Sequence, residues 1–341
     1  MKKLVFAVLL LLCLPAAALA ADYKPTVTSH RGACGYLPEH TLEAKAMAYA
    51  MGVDYIEQDV VMTKDNVLVV LHDHTLETTT DVAQKFPGRN RDDGSYYAID
   101  FTLAEIKSLL VTERFDAKTG KAVFEGRFPV HFNIDFRVPT LEEEILLVQG
   151  LNKSTGKNVG LYVEVKEPAF HEREEKMIME ATIDMLAKYG YNTEQGNVIL
   201  QIFDYPAVKK ARSLGWEAPL AMLVDLDGQM LTDDKEVHKW LLTEEGIEDV
   251  AEYASIYAPW FTHLALPSED GKSYTVAPCL EQARKAGMKV HTWTHRSDKL
   301  ASGFATEEAM FETMFKEMKL DGLFSDMPDH PIQWLKSNSL R

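Results

Sequence analysis

Apolar residues follow two rhythms along this chain. Short, nearly continuous apolar runs recur at 26–30 (TVTSH), 54–62 (DYIEQDVVM), 159–166 (VGLYVEVK), 197–204 (NVILQIFD), 219–225 (PLAMLVD), 253–259 (YASIYAP), 288–294 (MKVHTWT) and 321–326 (DGLFSD). They are rich in β-branched residues and bounded by turn residues, as expected of strands buried on both faces. Between most of them the apolar positions take helical spacing, as in EHTLEAKAMAYAMG, EREEKMIMEATIDMLAKYG and APCLEQARKAG, each closing on Gly, a frequent helix stop. Eight strands joined mostly by helices in 341 residues predict an α/β fold, a (β/α)8 TIM barrel.

Residues 74–138 break the rhythm. QKFPGRNRDDGSYYAID and DAKTGKAVFEGRFPVHFNIDFRV are loop-rich, with one predicted helix at TLAEIKSLL (102–110). This stretch reads as an insertion after the second barrel strand, suited to be a lid or side domain over the barrel mouth.

The start of the chain, MKKLVFAVLLLLCLPAAALAA, has two lysines, a short apolar run and a small-residue site at Ala18–Ala20. That pattern predicts a signal peptide, residues 1–20, cut after Ala20 with Ala21 the next choice, and a secreted domain over 21–341. The run is too short to span a membrane. The 36 basic residues are outnumbered by 52 acidic ones, a net charge of −16. Such a surface repels nucleic acid and anionic membranes, and its plainest meaning is solubility. Beyond the leader only Cys34 and Cys279 are present, too few for a disulfide scaffold, and both are expected to be free thiols.

In such a barrel the active site lies at the C-terminal ends of the strands. His30 and Arg31 end the first run, Glu57 and Asp59 the second, Glu164 and Lys166 the third, Gln201 and Asp204 the fourth, Trp293 the seventh, and Ser325 and Asp326 the last. Glu57 and Asp59 are two apart on a strand and face the same way. Two unpaired charges in a barrel interior are costly. With Glu164 they would form an all-oxygen site for Ca2+ or Mg2+. Alone, a Glu-x-Asp pair is more often exposed or salt-bridged. His30 and His72 each follow an apolar strand, and two histidines suit the taking and giving of a proton, although one histidine alone is more often structural. Arg31 suits a phosphate, or a surface ion pair. Trp293 suits either substrate contact or core packing.

The ordered set HRGA, PEHT, EQD, HD and EVK resembles the glycerophosphodiester phosphodiesterase family. GYLPEHTL, VMTKD and VLHDHTL make its secreted periplasmic bacterial branch the best match. The likeness is dense over 28–82 and continues to VEVKEP. Beyond about residue 205 it thins to VHTWTHRSDKL and DGLFSDMPD. The resemblance implies hydrolysis of small glycerophosphodiesters to glycerol 3-phosphate and an alcohol. It implies His30 and His72 as the acid/base pair, and Glu57, Asp59 and Glu164 as ligands of a divalent cation, Ca2+ before Mg2+. Arg31 and Lys166 would face the phosphate, with Gln201 and Trp293 also expected at the substrate, and the protein would be periplasmic. His40 stands where the family usually has Asn, and Cys34 where a small residue is frequent. The stretch 225–271 shows no likeness and leaves head-group selectivity open. The alternatives are a lysophospholipase D-like enzyme on the same barrel, which needs an apolar groove, and a non-catalytic surface binding protein. Retention of all five catalytic and ligand positions disfavours the latter.

Overall fold

Strands buried on both faces need a partner layer on each side, and the fold supplies one. A computed structural model describes residues 23–341 except 131, 133 and 227–234, so the predicted leader, residues 1–20, lies outside the described residues. The described residues form eleven strands: β1 (Thr26–Ser29), β2 (Tyr55–Met62), β3 (Leu68–Val70), β4 (Gly160–Val165), β5 (Val198–Ile202), β6 (Leu220–Val224), β7 (Ile256–Pro259), β8 (Ala265–Pro267), β9 (Tyr274–Val276), β10 (Lys289–His295) and β11 (Gly322–Ser325). Eight of them pair in parallel in the order β1-β11-β10-β7-β6-β5-β4-β2, and β1 pairs with β2 to close the ring. This is the predicted (β/α)8 barrel.

Alternation along each strand explains the continuous apolar runs. In β4, Leu161, Val163 and Val165 join the layer between barrel and helices, while Tyr162 points into the lumen. There Tyr162 packs with Ile199, Ala221, Ile256 and Phe324 and fills the barrel floor. Helices begin and end where local chemistry dictates. Leu42–Met51 starts at Thr41, whose hydroxyl accepts from the Ala44 amide, and stops at Gly52, which takes a φ of 89°. Leu103–Ser108 and Leu141–Thr155 both open with capping boxes, Thr102 with Glu105 and Thr140 with Glu143. The stretch EREEKMIMEATIDMLAKYG, expected to be one helix, belongs to two, Pro168–Arg173 and Ile178–Lys188. Its polar start offers no apolar face to bury, and Lys176 instead donates to the Lys64 carbonyl and Asn66 Oδ1.

Between β3 and β4 the chain builds a second core, in which Leu71, Leu76, Phe101, Ile106, Leu109 and Val111 close around Val61 and Val69. β3 anchors it, running antiparallel to the outer end of β2 with Val60 opposite Val70 and Met62 opposite Leu68. No described helix is long and apolar enough to cross a membrane.

Candidate active site

Parallel register sets the centre of the site. Asp59 on β2 lies opposite Glu164 on β4, and Glu164 lies opposite Gln201 on β5. Glu57 sits one lumen-facing position below Asp59, and all four side chains are buried. One Glu57 oxygen accepts the Arg31 backbone N–H, and the other is 3.4 Å from Gln201 Nε2. Glu164 Oε1 is 2.6 Å from Lys166 Nζ, close but off the hydrogen-bond direction. Asp59 Oδ1 has no hydrogen-bond partner among the described residues. Burial and the neighbouring Asp59 hold the Glu57 carboxyl well above the usual carboxylate range. Burial pushes Glu164 up to about 8, against the pull of Lys166 and with help from Asp59. Three buried carboxyls, one with an unpartnered oxygen, fit a hard divalent cation. Such an ion would offset the burial and repulsion that otherwise drive protons onto Glu57 and Glu164, while Asp59 is held low by Lys166 and His40.

The ligand atoms that come within 4.8 Å of one another here are those of His40, Glu57 and Asp59, a group that leaves out Glu164, which stands beside it opposite Asp59. His40 Nδ1 lies 3.1 Å from Lys45 Nζ, and its Nε2 lies 2.8 Å from Asp59 Oδ2. An ammonium has no lone pair, so Nδ1 must accept and Nε2 must carry the proton towards Asp59. His40 is therefore a donor that steadies Asp59, and burial beside Lys45 lowers its pKa to about 3. Lys45 is itself wholly buried, donating also to the Glu57 carbonyl and pairing with Glu144 Oε2 at 3.3 Å.

The loop after β1 is tight. Arg31 and His40 take φ values of 54° and 61°, uncommon for side-chain-bearing residues, and the His40 amide donates to the Arg31 carbonyl at 2.9 Å. Gly35 lets its amide reach the Asp326 carbonyl at 2.9 Å, where a Cβ would meet Met327 Cγ at 2.5 Å.

Each of the two predicted acid/base histidines is tied through Nδ1 to a carboxylate. His30 Nδ1 lies 2.6 Å from Asp326 Oδ1, and His72 Nδ1 lies 2.6 Å from Asp73 Oδ1. In the neutral rings Nδ1 therefore carries the proton and Nε2 is left as the base. Burial, then Arg31, lowers the His30 pKa, and the Asp326 contact opposes this. Burial, Arg31 and Lys166 lower His72 to about 4 against the pull of Asp73. The electrostatic fields overlap: Asp59 acts on His30, and His72 acts on Asp59. Arg31 is gripped by Glu39 at 3.1 and 3.2 Å, and its Nε, without a hydrogen-bond partner among the described residues, points to within 3.8 Å of Asp59.

Trp293 stands in an aromatic rim, 5.1 Å from Trp260 and 5.4 Å from Phe203 between ring centres, with its indole N–H on the Ala258 carbonyl. His74 stacks on Phe170, and His295 is buried between Ser325 and Glu307. Cys34 and Cys279 are separate, buried free thiols.

Sequence reasoning missed Lys45, Glu39, Asp73, Arg114 and Arg127. Asp73 had a signal, its place directly after His72. The two arginines had none, because they lie in a loop whose path is set by tertiary packing.

The sequence profile of the Glycerophosphoryl diester phosphodiesterase family matches residues 30–330. The chain is 39% identical to a glycerophosphodiester phosphodiesterase of Haemophilus influenzae, over 91% of this chain and 89% of that protein. It is 34% identical to one of Treponema pallidum, over 91% of each. The solved structure of an Oleispira antarctica phosphodiesterase in complex with the product sn-glycerol-3-phosphate shares the fold, with a TM-score of 0.58 at 20% identity over 92% of this chain and 98% of the other. With the barrel, the carboxylate cluster and the paired histidines in place, the match over nearly the whole domain settles the kinship: this chain belongs to the glycerophosphoryl diester phosphodiesterase family of enzymes.

Proposed function

We propose that the protein hydrolyses glycerophosphodiesters to glycerol 3-phosphate and an alcohol, with His30 and His72 as the acid/base pair beside a cation held by Glu57, Asp59 and Glu164. The observation that carries this reading is the pair of histidines, each fixed through Nδ1 by an aspartate at 2.6 Å, beside three buried carboxyls. The hard oxygen donors favour Ca2+ first and Mg2+ second. When bound, the cation would supply charge neutralisation at the phosphate. Arg31 and Lys166 lie where they would orient the phosphate, Gln201 steadies Glu57, and Trp293 offers an apolar face to the glycerol or alcohol portion. One histidine takes a proton at Nε2 from the substrate's own glycerol hydroxyl as that oxygen attacks phosphorus, the other, in its protonated form, gives one to the departing alcohol, and water then opens the cyclic phosphate to glycerol 3-phosphate. The leader supports a secreted, periplasmic protein of the corresponding bacterial branch, and fractionation of the cells that express it would test this.

The decisive assay is release of glycerol 3-phosphate from glycerophosphocholine, before EDTA, after EDTA and after return of Ca2+ or Mg2+. Release that stops with EDTA and returns with the ion is expected. No release with either ion would overturn the activity, and full release after EDTA would overturn the cation site.

A further inference from the structure

We propose that Arg114 and Arg127, carried by one loop of the segment between β3 and β4, are positioning residues that hold the two histidines in their working tautomer and orientation. This rests on the acid/base reading of His30 and His72 given above.

The contacts form two matched chains. Arg127 Nη2 lies 2.5 Å from Asp326 Oδ2, and the other oxygen of Asp326 holds His30. Arg114 Nη1 lies 2.5 Å from Asp73 Oδ2, and the other oxygen of Asp73 holds His72. Each aspartate is thus stretched between a guanidinium and an imidazole. Both arginine side chains are largely buried, at 3% and 14% exposed, which is unusual unless they are fully paired. Arg127 is pinned again by Asp298, and the Phe124 ring sits between the Arg127 and Arg296 guanidiniums at 4.2 and 4.5 Å. Arg114 makes two further bonds to Glu39, at 2.7 and 3.0 Å, and Glu39 in turn grips Arg31. The loop closes on itself through a bridge between Phe115 and Ala122. One short piece of chain therefore reaches both histidines and the phosphate-facing arginine.

Physical chemistry gives the arrangement a purpose. Burial alone would raise the pKa of Asp326 and Asp73, yet both are held well below the usual carboxylate range by their histidine and arginine partners. A buried aspartate without its arginine tends to take up a proton. It could then donate to Nδ1, the histidine would carry its own proton on Nε2, and the base would be lost. The arginine keeps the carboxylate an acceptor, so Nδ1–H stays fixed and Nε2 is the atom that takes a proton in the base and gives one in the acid.

The test uses the full, Ca2+-loaded protein with glycerophosphocholine, comparing Arg127→Ala, Arg127→Lys and Arg114→Ala with His30→Ala as reference. The charged groups facing His30 are Arg31, Asp59 and Asp326, and those facing His72 are Asp73, Arg31 and Lys166. Arg127→Ala removes positive charge behind Asp326, so His30 should bind its proton more tightly and the limb of the kcat profile that His30 governs, the acid limb if it is the base and the alkaline limb if it is the acid, should move to higher pH. We expect kcat to fall roughly tenfold or more, as for loss of other supporting contacts, with KM changed less than about twofold. Added guanidinium should restore part of the rate, and Arg127→Lys should fall between Ala and wild type. Wild-type kcat and pH profile in Arg127→Ala, with His30→Ala inactive, would overturn the inference alone. So would a lost rate with an unmoved limb and no guanidinium rescue, which is what loosened packing would give. Should Arg127→Ala lose native circular dichroism, the limb of Arg127→Lys decides. An active His30→Ala would overturn the underlying reading as well.

Discussion

Lys45→Met tests the buried chain behind Asp59. Lys45 is wholly buried and serves three partners: His40 Nδ1, the Glu57 carbonyl and Glu144. Methionine fills a similar volume but donates nothing. Breaking a buried ion pair by removing one partner costs about 3–5 kcal/mol. Protonation of the stranded carboxyl limits that cost here, because burial, opposed by Lys45, already pushes Glu144 up to about 7. The low end, about 3 kcal/mol, is therefore expected near neutral pH. The folded pKa of Glu144 exceeds its ordinary 4.5, so the folded state binds the extra proton between 4.5 and about 7, and this group's contribution to stability falls as pH rises through that window. Removing Lys45 raises the folded pKa further. The deficit of the variant should thus widen above neutral pH and shrink at acid pH. Urea unfolding followed by circular dichroism at several pH values measures both. Lys45→Met/Glu144→Leu should regain most of the stability, since apolar replacement of a buried pair is often neutral or better. It should not regain activity, because the His40 tautomer is no longer fixed. A loss below about 1 kcal/mol in the single variant, or a deficit that ignores pH, would refute the reasoning.

Removing the cation with EDTA should lower Tm as well as activity, by about 2.7 kcal/mol of stability if the ion was at a hundred times its Kd. Glu57→Gln should be inactive, folded and indifferent to EDTA, and an EDTA-sensitive Tm in that variant would contradict its role. His30→Ala and His72→Ala should each lose roughly a hundredfold in turnover, with the double variant little worse. A p-nitrophenyl ester, which needs little protonation of its leaving oxygen, should rescue the variant lacking the acid and not the other. Glu307, lowered to about 2 by His295, His330 and Ser297 against burial, contributes stability that is present above 4.5 and lost as pH falls through about 2. Glu307→Gln should therefore match wild type only at the acid end of a pH titration of Tm. Burial pushes the Cys34 thiol well up and Cys279 to about 11, so both should resist Ellman's reagent until the chain is unfolded, and a linked peptide pair by mass spectrometry would overturn their free state.

The barrel was legible because lumen-facing and helix-facing positions are both apolar, as Leu161 and Tyr162 illustrate, so each strand announces itself. Glu57, Asp59 and Glu164 stood out for the converse reason, as charges inside such runs. The break between Pro168–Arg173 and Ile178–Lys188 was hidden, since helical spacing does not reveal where a polar turn finds better partners elsewhere in the chain. Arg114 and Arg127 were illegible for a related cause. Their meaning lies in distances to Asp73 and Asp326, which are 41 and 199 residues away in the chain, and no local pattern encodes that. His40 was noticed as a departure, but its role as a donor followed only from Lys45 standing behind it.

The ring of strands closes where β1 meets β2, through two registered pairs, Thr28 with Tyr55 and Ser29 with Ile56. The neighbouring β2–β4 ladder has six. That short closure lies directly beneath the site. His30 follows β1, while Glu57 and Asp59 belong to β2, and the Leu71 amide bonded to the Asp59 carbonyl at 3.0 Å ties the start of the His72 turn to the β2 side. The two candidate acid/base histidines are thus mounted on opposite banks of a join that, like β7–β10, has only two registered pairs. Partial parting along it would separate the two histidines while the remaining strands stayed zipped. Heat should then silence the enzyme by unfastening it locally, at a temperature below that at which its helices melt.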